Sequence, residues 1–254
     1  MSSLDDFAGK QATSRGSVNA GSCAVVAVLL EPSRLFMAHV GDCRAVCGTS
    51  EPIHLLKGTI SPSRRSRRAC LSLQSVDLTK DHNCTNTTEV AKVKARSGDK
   101  KAIRSSKGKG PPRVAGSLAI TRALGDAYLK LNRFSFPPYI EKLPYITAEP
   151  EVNCFQLTED DKFLVIATDG LWELCSSQEV VLWVDGWCKR GSNEFAHSAD
   201  FAIASVLKAA AAASNMKLSE VKGIPPGAAR RKVHDDMTLT VIQLQGRRHC
   251  KDKG

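Results

Sequence analysis

The first half of the chain alternates short unbroken apolar runs with brief polar breaks. Cys23-Ala-Val-Val-Ala-Val-Leu-Leu30 and Arg34-Leu-Phe-Met-Ala-His-Val40, separated by Glu31-Pro-Ser33, have the layout of two buried strands joined as a hairpin. Gly41-Asp42 turns the chain into a third strand, Arg44-Ala-Val-Cys47. From Asn86 to Arg96, Val90 and Val93 fall on one helical face, which predicts a short helix capped at Asn86 or Thr87. Pro137-Pro138 and Pro144 break the chain ahead of two strand-like segments, Tyr145-Ile-Thr-Ala148 and Glu151-Val-Asn-Cys-Phe-Gln-Leu157. Ser176-Ser-Gln-Glu179 is a capping box opening a helix to about Lys189, and the alanine-rich run from Phe195 to Ala213 predicts a longer one. Thr238-Leu-Thr-Val-Ile-Gln-Leu244 alternates as a final strand. Short strands, two helices and a closing strand make a mixed α+β layer architecture.

Candidate chemistry sits where apolar runs stop on acids. Burying Phe163 to Ile166 and turning at Gly170 holds the Asp169 carboxylate at the rim of a sheet. His234-Asp235-Asp236-Met237 has the same layout inverted, leading directly into the final strand. Acids at the end of one strand and the start of another meet if the strands are neighbours, and oxygen-only ligands favour magnesium or manganese over zinc. Gly41-Asp42 is a third acid-bearing turn. Each turn alone is most often a plain turn; together they make the chain read as a metal-dependent enzyme domain.

Composition narrows this picture. With 254 residues, 42% hydrophobic and 24% charged, one globular domain is the default. Residues 1–17 are polar and read as a flexible arm, residues 18–245 as the domain, and residues 246–254 as a basic tail. No apolar stretch approaches the roughly 20 residues needed to span a bilayer, and Met-Ser-Ser-Leu-Asp-Asp is too acidic for a signal peptide. The expectation is a cytoplasmic or nuclear protein with no membrane contact. The 9 cysteines include no C-x-x-C pair, which argues against zinc and for reduced structural thiols.

The net charge of +10 is local: residues 57–113 carry 15 Lys and Arg against 4 Asp and Glu, leaving −1 for the remainder. Residues 57–75 and 96–113 read as solvated loops forming a basic insert. Arg64-Arg-Ser-Arg-Arg68, with Lys100, Lys101, Arg104, Lys107 and Lys109, suits an acidic partner or a nuclear import receptor, against the plainer reading of a solvated charge run. Few aromatics are interleaved, so nucleic acid is disfavoured.

Five motifs in order carry a family resemblance: Gly21-Ser-Cys-Ala-Val-Val, Val40-Gly-Asp42-Cys-Arg44-Ala-Val, Gly116-Ser-Leu-Ala-Ile-Thr-Arg122-Ala-Leu-Gly-Asp126, Phe163-Leu-Val-Ile-Ala-Thr-Asp169-Gly-Leu-Trp and Asp235-Asp-Met-Thr. The chain resembles the PPM family, the metal-dependent protein serine/threonine phosphatases of type 2C, from about Val18 to Leu244. The resemblance implies two packed antiparallel β-sheets flanked by helices, a cleft at one end of the sandwich holding two magnesium or manganese ions, and phosphoprotein substrates. It makes Asp169 and Asp235 ligands of the main metal site, and Asp42 and Glu173 positions of a weaker third-metal site, Glu173 standing where the family usually has aspartate. Arg122 and Asp126 read as a structural tether and a turn. The family's Asp-Gly-His-Gly-Gly turn is absent, so the expectation is an N-terminally incomplete domain, with a non-catalytic regulatory homologue as the alternative.

Overall fold

The computed structural model describes residues 18–30, 33–50, 53–55, 58–60, 73–105, 110–189 and 197–244, with backbone alone at 53–55 and 58–60. Two compact units share the chain: unit 1 takes Met1–Val26, Ala38–Cys43 and Lys80–Val152, and unit 2 takes Ala27–Met37, Arg44–Thr79 and Asn153–Gly254. The strands of the two larger sheets are β1 Ala24–Leu30, β2 Arg34–Val40, β3 Arg44–Thr49, β4 Ile53–Leu55, β5 Gly58–Ile60, β6 Gln74–Asp77, β7 Glu151–Gln156, β8 Asp161–Ala167 and β9 Leu239–Gln243. One sheet runs β1-β2-β7-β4-β5 and the other β9-β8-β3-β6. The helices are α1 Thr87–Ser97 in unit 1 and, in unit 2, α2 Asp169–Trp172, α3 Ser177–Cys188, α4 Ser198–Ala213, α5 Leu218–Gly223 and α6 Ala228–Arg231. The expected mix of antiparallel sheets and helices is what the chain forms.

The four-stranded sheet is the spine of unit 2. Phe163, Val165 and Ala167 of β8 pack with Val180, Val181 and Val184 of α3 and Ala202 and Val206 of α4. The intervening Leu164 and its cross-strand partner Cys47 are buried on the opposite face. Burial on both faces is why β8 reads as an unbroken apolar run rather than an alternation. Gly48 pairs with Phe163, and a Cβ on Gly48 would lie 2.5 Å from the phenyl ring, so the missing side chain gives the ring its place. The capping box of α3 is present. Gln178 ties this helix to the sheet by accepting from the Ser75 amide at 2.9 Å and donating to the Leu73 carbonyl at 2.9 Å.

The expected hairpin of buried strands is only partly right. β1 and β2 are neighbours, but β1 is an outer strand whose Val26, Val28 and Leu30 are exposed. An outer strand covered on one face alternates in burial even when its sequence does not alternate in polarity.

In unit 1, α1 begins at Asn86, whose side chain accepts from the amides of Thr88 at 3.1 Å and Glu89 at 3.4 Å, and ends at Gly98 with φ 63°. Val93 faces the core as expected, whereas Val90 is half-buried and the second buried position belongs to Glu89. This carboxylate accepts from Arg122 Nε at 2.8 Å and Nη2 at 2.7 Å, from Thr121 Oγ1 at 3.1 Å and from Lys92 Nζ at 2.8 Å. Burial pushes the Glu89 carboxyl up, but the hydrogen bonds from Arg122 and Lys92 outweigh it and hold it at about 2. Arg122 is the structural tether expected.

Tyr145–Ala148 is not a strand. Tyr145 and Ile146 are core residues on an irregular segment whose backbone groups find other partners: the Tyr145 amide donates to the Leu129 carbonyl at 2.9 Å, and Arg96 Nη1 donates to the Tyr145 carbonyl at 2.8 Å. The loops of the basic insert also contain structure, since Gly58–Ile60 and Gln74–Asp77 are strands and Ile103–Arg104 pairs with Arg113–Val114. Arg64 to Arg68, Lys107 and Lys109 lie outside the described residues, while Lys100 and Lys101 are exposed and Arg104 pairs with Asp99 at 3.2 Å. Among the described residues no helix is long and apolar enough to cross a membrane.

Candidate active site

In unit 2 the register of one sheet brings two acid-bearing segments together. β8 and β9 are antiparallel neighbours with Ala167 opposite Leu239, so the end of one strand adjoins the start of the other. The pairing continues beyond the strands: the Thr168 amide donates to the Thr238 carbonyl at 3.1 Å, and the Thr238 amide donates to Thr168 Oγ1 at 3.0 Å. Thr168 Oγ1 in turn donates to the Asp236 carbonyl at 3.4 Å. Gly170 completes the lock, because a Cβ there would sit 2.4 Å from the Asp236 carbonyl oxygen and 3.2 Å from the Asp235 carbonyl carbon. Asp169 and Asp235 therefore stand at the same end of the sheet, on backbone segments in direct contact.

The expected turn at Asp169-Gly170, at the rim of the sheet, is the first residues of α2. Asp169 Oδ1 accepts from the Gly170 amide at 2.9 Å, and Trp172 Nε1 donates to the Ala167 carbonyl at 3.0 Å, tying the helix back to its strand. Arg44, from the third strand of the sheet, places its guanidinium 5.2 Å from the Trp172 ring centroid and donates to Ser177 Oγ at 3.3 Å. Glu173 is exposed at the C-terminal cap of α2. On the facing segment Asp235 is half-buried, and its Oδ1 accepts from the Asp236 amide at 2.8 Å. Two basic side chains of α6 reach these acids, Arg231 approaching Asp235 at 3.5 Å and Arg230 approaching Asp236 at 2.6 Å. Sequence reading missed Thr168, Arg230 and Arg231; the arginine pair following Gly227 was the available signal.

Asp42 belongs to unit 1, where side chains hold its turn. Gly41 has φ +97°, and a Cβ there would meet Cys23 Sγ at 2.2 Å, so both conformation and space require glycine. The Gly41 amide donates to His82 Nδ1 at 3.3 Å and its carbonyl accepts from the His82 amide at 3.0 Å. Asp42 Oδ1 accepts from the Cys23 thiol at 3.2 Å. Because Nδ1 is the acceptor, the neutral His82 ring carries its proton on Nε2, which lies 3.6 Å from Glu151 Oε2. His39 stacks on this ring at 4.1 Å. Burial, followed by the His39 and Arg122 charges, lowers His82 to about 4, so the ring is neutral at neutral pH. Asp126 occupies a left-handed turn with φ 48°, and Gly21 leaves the space that its carboxylate fills.

The described acids of unit 2 have the oxygen chemistry of a hard-cation site but not the number a two-metal centre requires. Among the described residues, no group of three or more His, Cys, Asp or Glu side chains converges to hold a metal ion. Donor type fits; donor count does not.

Comparison with known proteins agrees with the motif order. The family model described as protein phosphatase 2C matches residues 2–217. Protein phosphatase 2C 35 of Oryza sativa subsp. japonica is 31% identical over 237 residues, covering 89% of this chain and 35% of that protein. Probable protein phosphatase 2C 40 of Arabidopsis thaliana is 31% identical over 235 residues, covering 89% of this chain and 42% of that protein. The chain thus spans less than half the length of these relatives. Among solved structures, a C. elegans sex determining protein superposes with a TM-score of 0.62 at 17% identity, covering 95% of this chain and 44% of that one. The serine-threonine phosphatase 2C from Toxoplasma gondii superposes with a TM-score of 0.56 at 18% identity, covering 94% and 62%. These likenesses establish the shared fold, and with the family match the chain belongs to the protein phosphatase 2C family.

Proposed function

We propose that this chain belongs to a protein phosphatase that removes phosphate from phosphoserine and phosphothreonine of other proteins with magnesium or manganese as cofactor, and that Asp169 and Asp235 are its contribution to metal binding. The observation that supports the reading is the interlock of Thr168 and Gly170 with the backbone from Asp235 to Thr238, which joins the main-chain segments of two acids distant in sequence. Family membership supplies the reaction class. Asp169 and Asp235 would together hold one hard cation such as magnesium or manganese. A pair of cations sharing a bridging water needs further acids. The role of this chain's own residues is positional: Thr168 and Gly170 fix the two acid segments together, and Arg231, 3.5 Å from Asp235, is the basic side chain that a bound cation would have to displace.

A non-catalytic regulatory homologue is the second reading, favoured by the shortage of converging donors among the described residues. Release of phosphate from a phosphothreonine peptide with manganese, by the native chain and by Asp169→Asn, separates the two. The phosphatase reading expects a loss on the order of 100-fold in the variant. Equal, measurable rates contradict the ligand role; if both proteins are inactive, manganese bound by the native chain and lost in Asp169→Asn supports the metal-site reading, and manganese bound by neither supports the regulatory homologue.

A further inference from the structure

Unit 1 gathers positive charge on one structured turn. From Lys94 to Arg113 the sequence holds a single acid, Asp99, and that acid is used inside the turn. Its Oδ1 accepts from the Lys101 amide at 2.8 Å, and its Oδ2 accepts from Arg104 Nη2 at 3.2 Å and from the Tyr145 hydroxyl at 3.4 Å. The Asp99 amide donates to Ser97 Oγ at 3.2 Å, and Arg104 Nε donates to the Lys101 carbonyl at 2.9 Å. Upstream, the Gly98 amide closes α1 onto the Lys94 carbonyl at 3.0 Å. These bonds fix the backbone that carries Lys94, Lys100 and Lys101, whose side chains are exposed and have no ionic partner among the described residues. Glu89, the nearest acid upstream, is buried in its contacts with Arg122, Thr121 and Lys92. In the two-stranded ladder that follows, Arg104 stands directly opposite Arg113. Like charges opposed across a ladder work against pairing, and Arg113 is held only by its bond to the Ser117 carbonyl at 2.9 Å.

We propose that this turn, with Lys94, Lys100 and Lys101 at its surface and Arg104 and Arg113 beside them, is a docking surface for an acidic polypeptide segment rich in Asp and Glu. Charge complementarity names the occupant: the fold holds repelling cations together where the chain's own carboxylates are already engaged, and an anionic partner removes that repulsion. Nucleic acid is the poorer fit, because residues 87–117 contain no aromatic side chain for base stacking and Tyr145, which touches the turn, is a core residue. A lipid surface is poorer again, because no large apolar side chain is exposed among the described residues from Thr87 to Ser117, so a bilayer receives nothing to insert. The lysines act as exposed point charges on a backbone already in place. Each contact is weak and screened by salt, and the surface works by their sum.

The test is fluorescence anisotropy of a fluorescein-labelled octapeptide of alternating glutamate and aspartate, titrated with the whole native chain without added metal. The expected result is binding that weakens as salt rises through about 0.1 M, and that is weaker by roughly tenfold or more in Lys100→Glu/Lys101→Glu. Lys208→Glu/Lys222→Glu, at two exposed lysines of unit 2, makes the same change of net charge and is expected to weaken binding by less than about threefold. All these side chains are exposed, so both double variants are expected to melt with the native chain in circular dichroism. No binding by the native chain, or equal weakening in the two double variants, overturns the proposal. So does tighter binding of a labelled oligouridylate of the same length, or of vesicles of phosphatidylcholine and phosphatidylserine, which assigns the surface to nucleic acid or lipid instead.

Discussion

The two units hold an acid-bearing turn in different ways. In unit 2 the Asp169 and Asp235 segments are joined chiefly by main chain: strand register continues through Thr168, and Gly170 leaves room for the Asp236 carbonyl. In unit 1 the Asp42 turn hangs on side chains, with the imidazole of His82 and the thiol of Cys23 as partners. The same contrast runs through the cores. Unit 2 is mainly apolar helix on sheet, whereas unit 1 encloses Glu89, Arg122, His39, His82, Asp126 and Lys130. A turn fixed by register has no titratable group in its fastening; the one fixed by side chains has His82, whose pKa burial lowers to about 4.

Breaking the polar core of unit 1 has the largest expected effect. Glu89→Ala strands the Arg122 guanidinium in a buried position, and a loss of about 3–5 kcal/mol is expected in urea unfolding. A loss well under about 1 kcal/mol would mean that this network does not hold the unit. Acid sharpens the same point. Glu89 is held at about 2, below an unfolded value near 4.3, so its contribution is complete above pH 4.3 and is lost as pH falls through about 2. The expected loss is about 3 kcal/mol, checked by unfolding across that window with Glu89→Gln as the flat control.

For unit 2, Gly170→Ala forces a methyl group against the Asp236 carbonyl. A cost of about 1–3 kcal/mol is expected, with the acid segments displaced from each other. The smallest effect is local to the helix cap: Ser176→Ala removes the side chain that accepts from the Glu179 amide, at about 1 kcal/mol in thermal unfolding. This variant should leave the acid segments of unit 2 undisturbed.

Much of unit 2 was legible because its elements are long and their signals local. The Ser176 capping box, the alanine-rich helix and the strands flanking Asp169 and Asp235 each declare themselves within a few residues. Unit 1 was harder because its order comes from pairings across distance. Nothing near Glu89 announces that Arg122 will draw it inside, and Tyr145–Ala148 has strand-like residues but gains its hydrogen bonds from Leu129 and Arg96. The exposed side chains of β1 were hidden for a related reason, since an apolar run does not reveal which of its residues meets a covering layer.

The central claim is that Asp169 and Asp235 together hold a divalent cation. Manganese titration followed by electron paramagnetic resonance tests it most directly, using the native chain, Asp169→Asn and Asp235→Asn. The account expects native binding and affinity weakened by roughly tenfold or more in each variant. Undiminished binding in either variant, or no binding by the native chain, would contradict it.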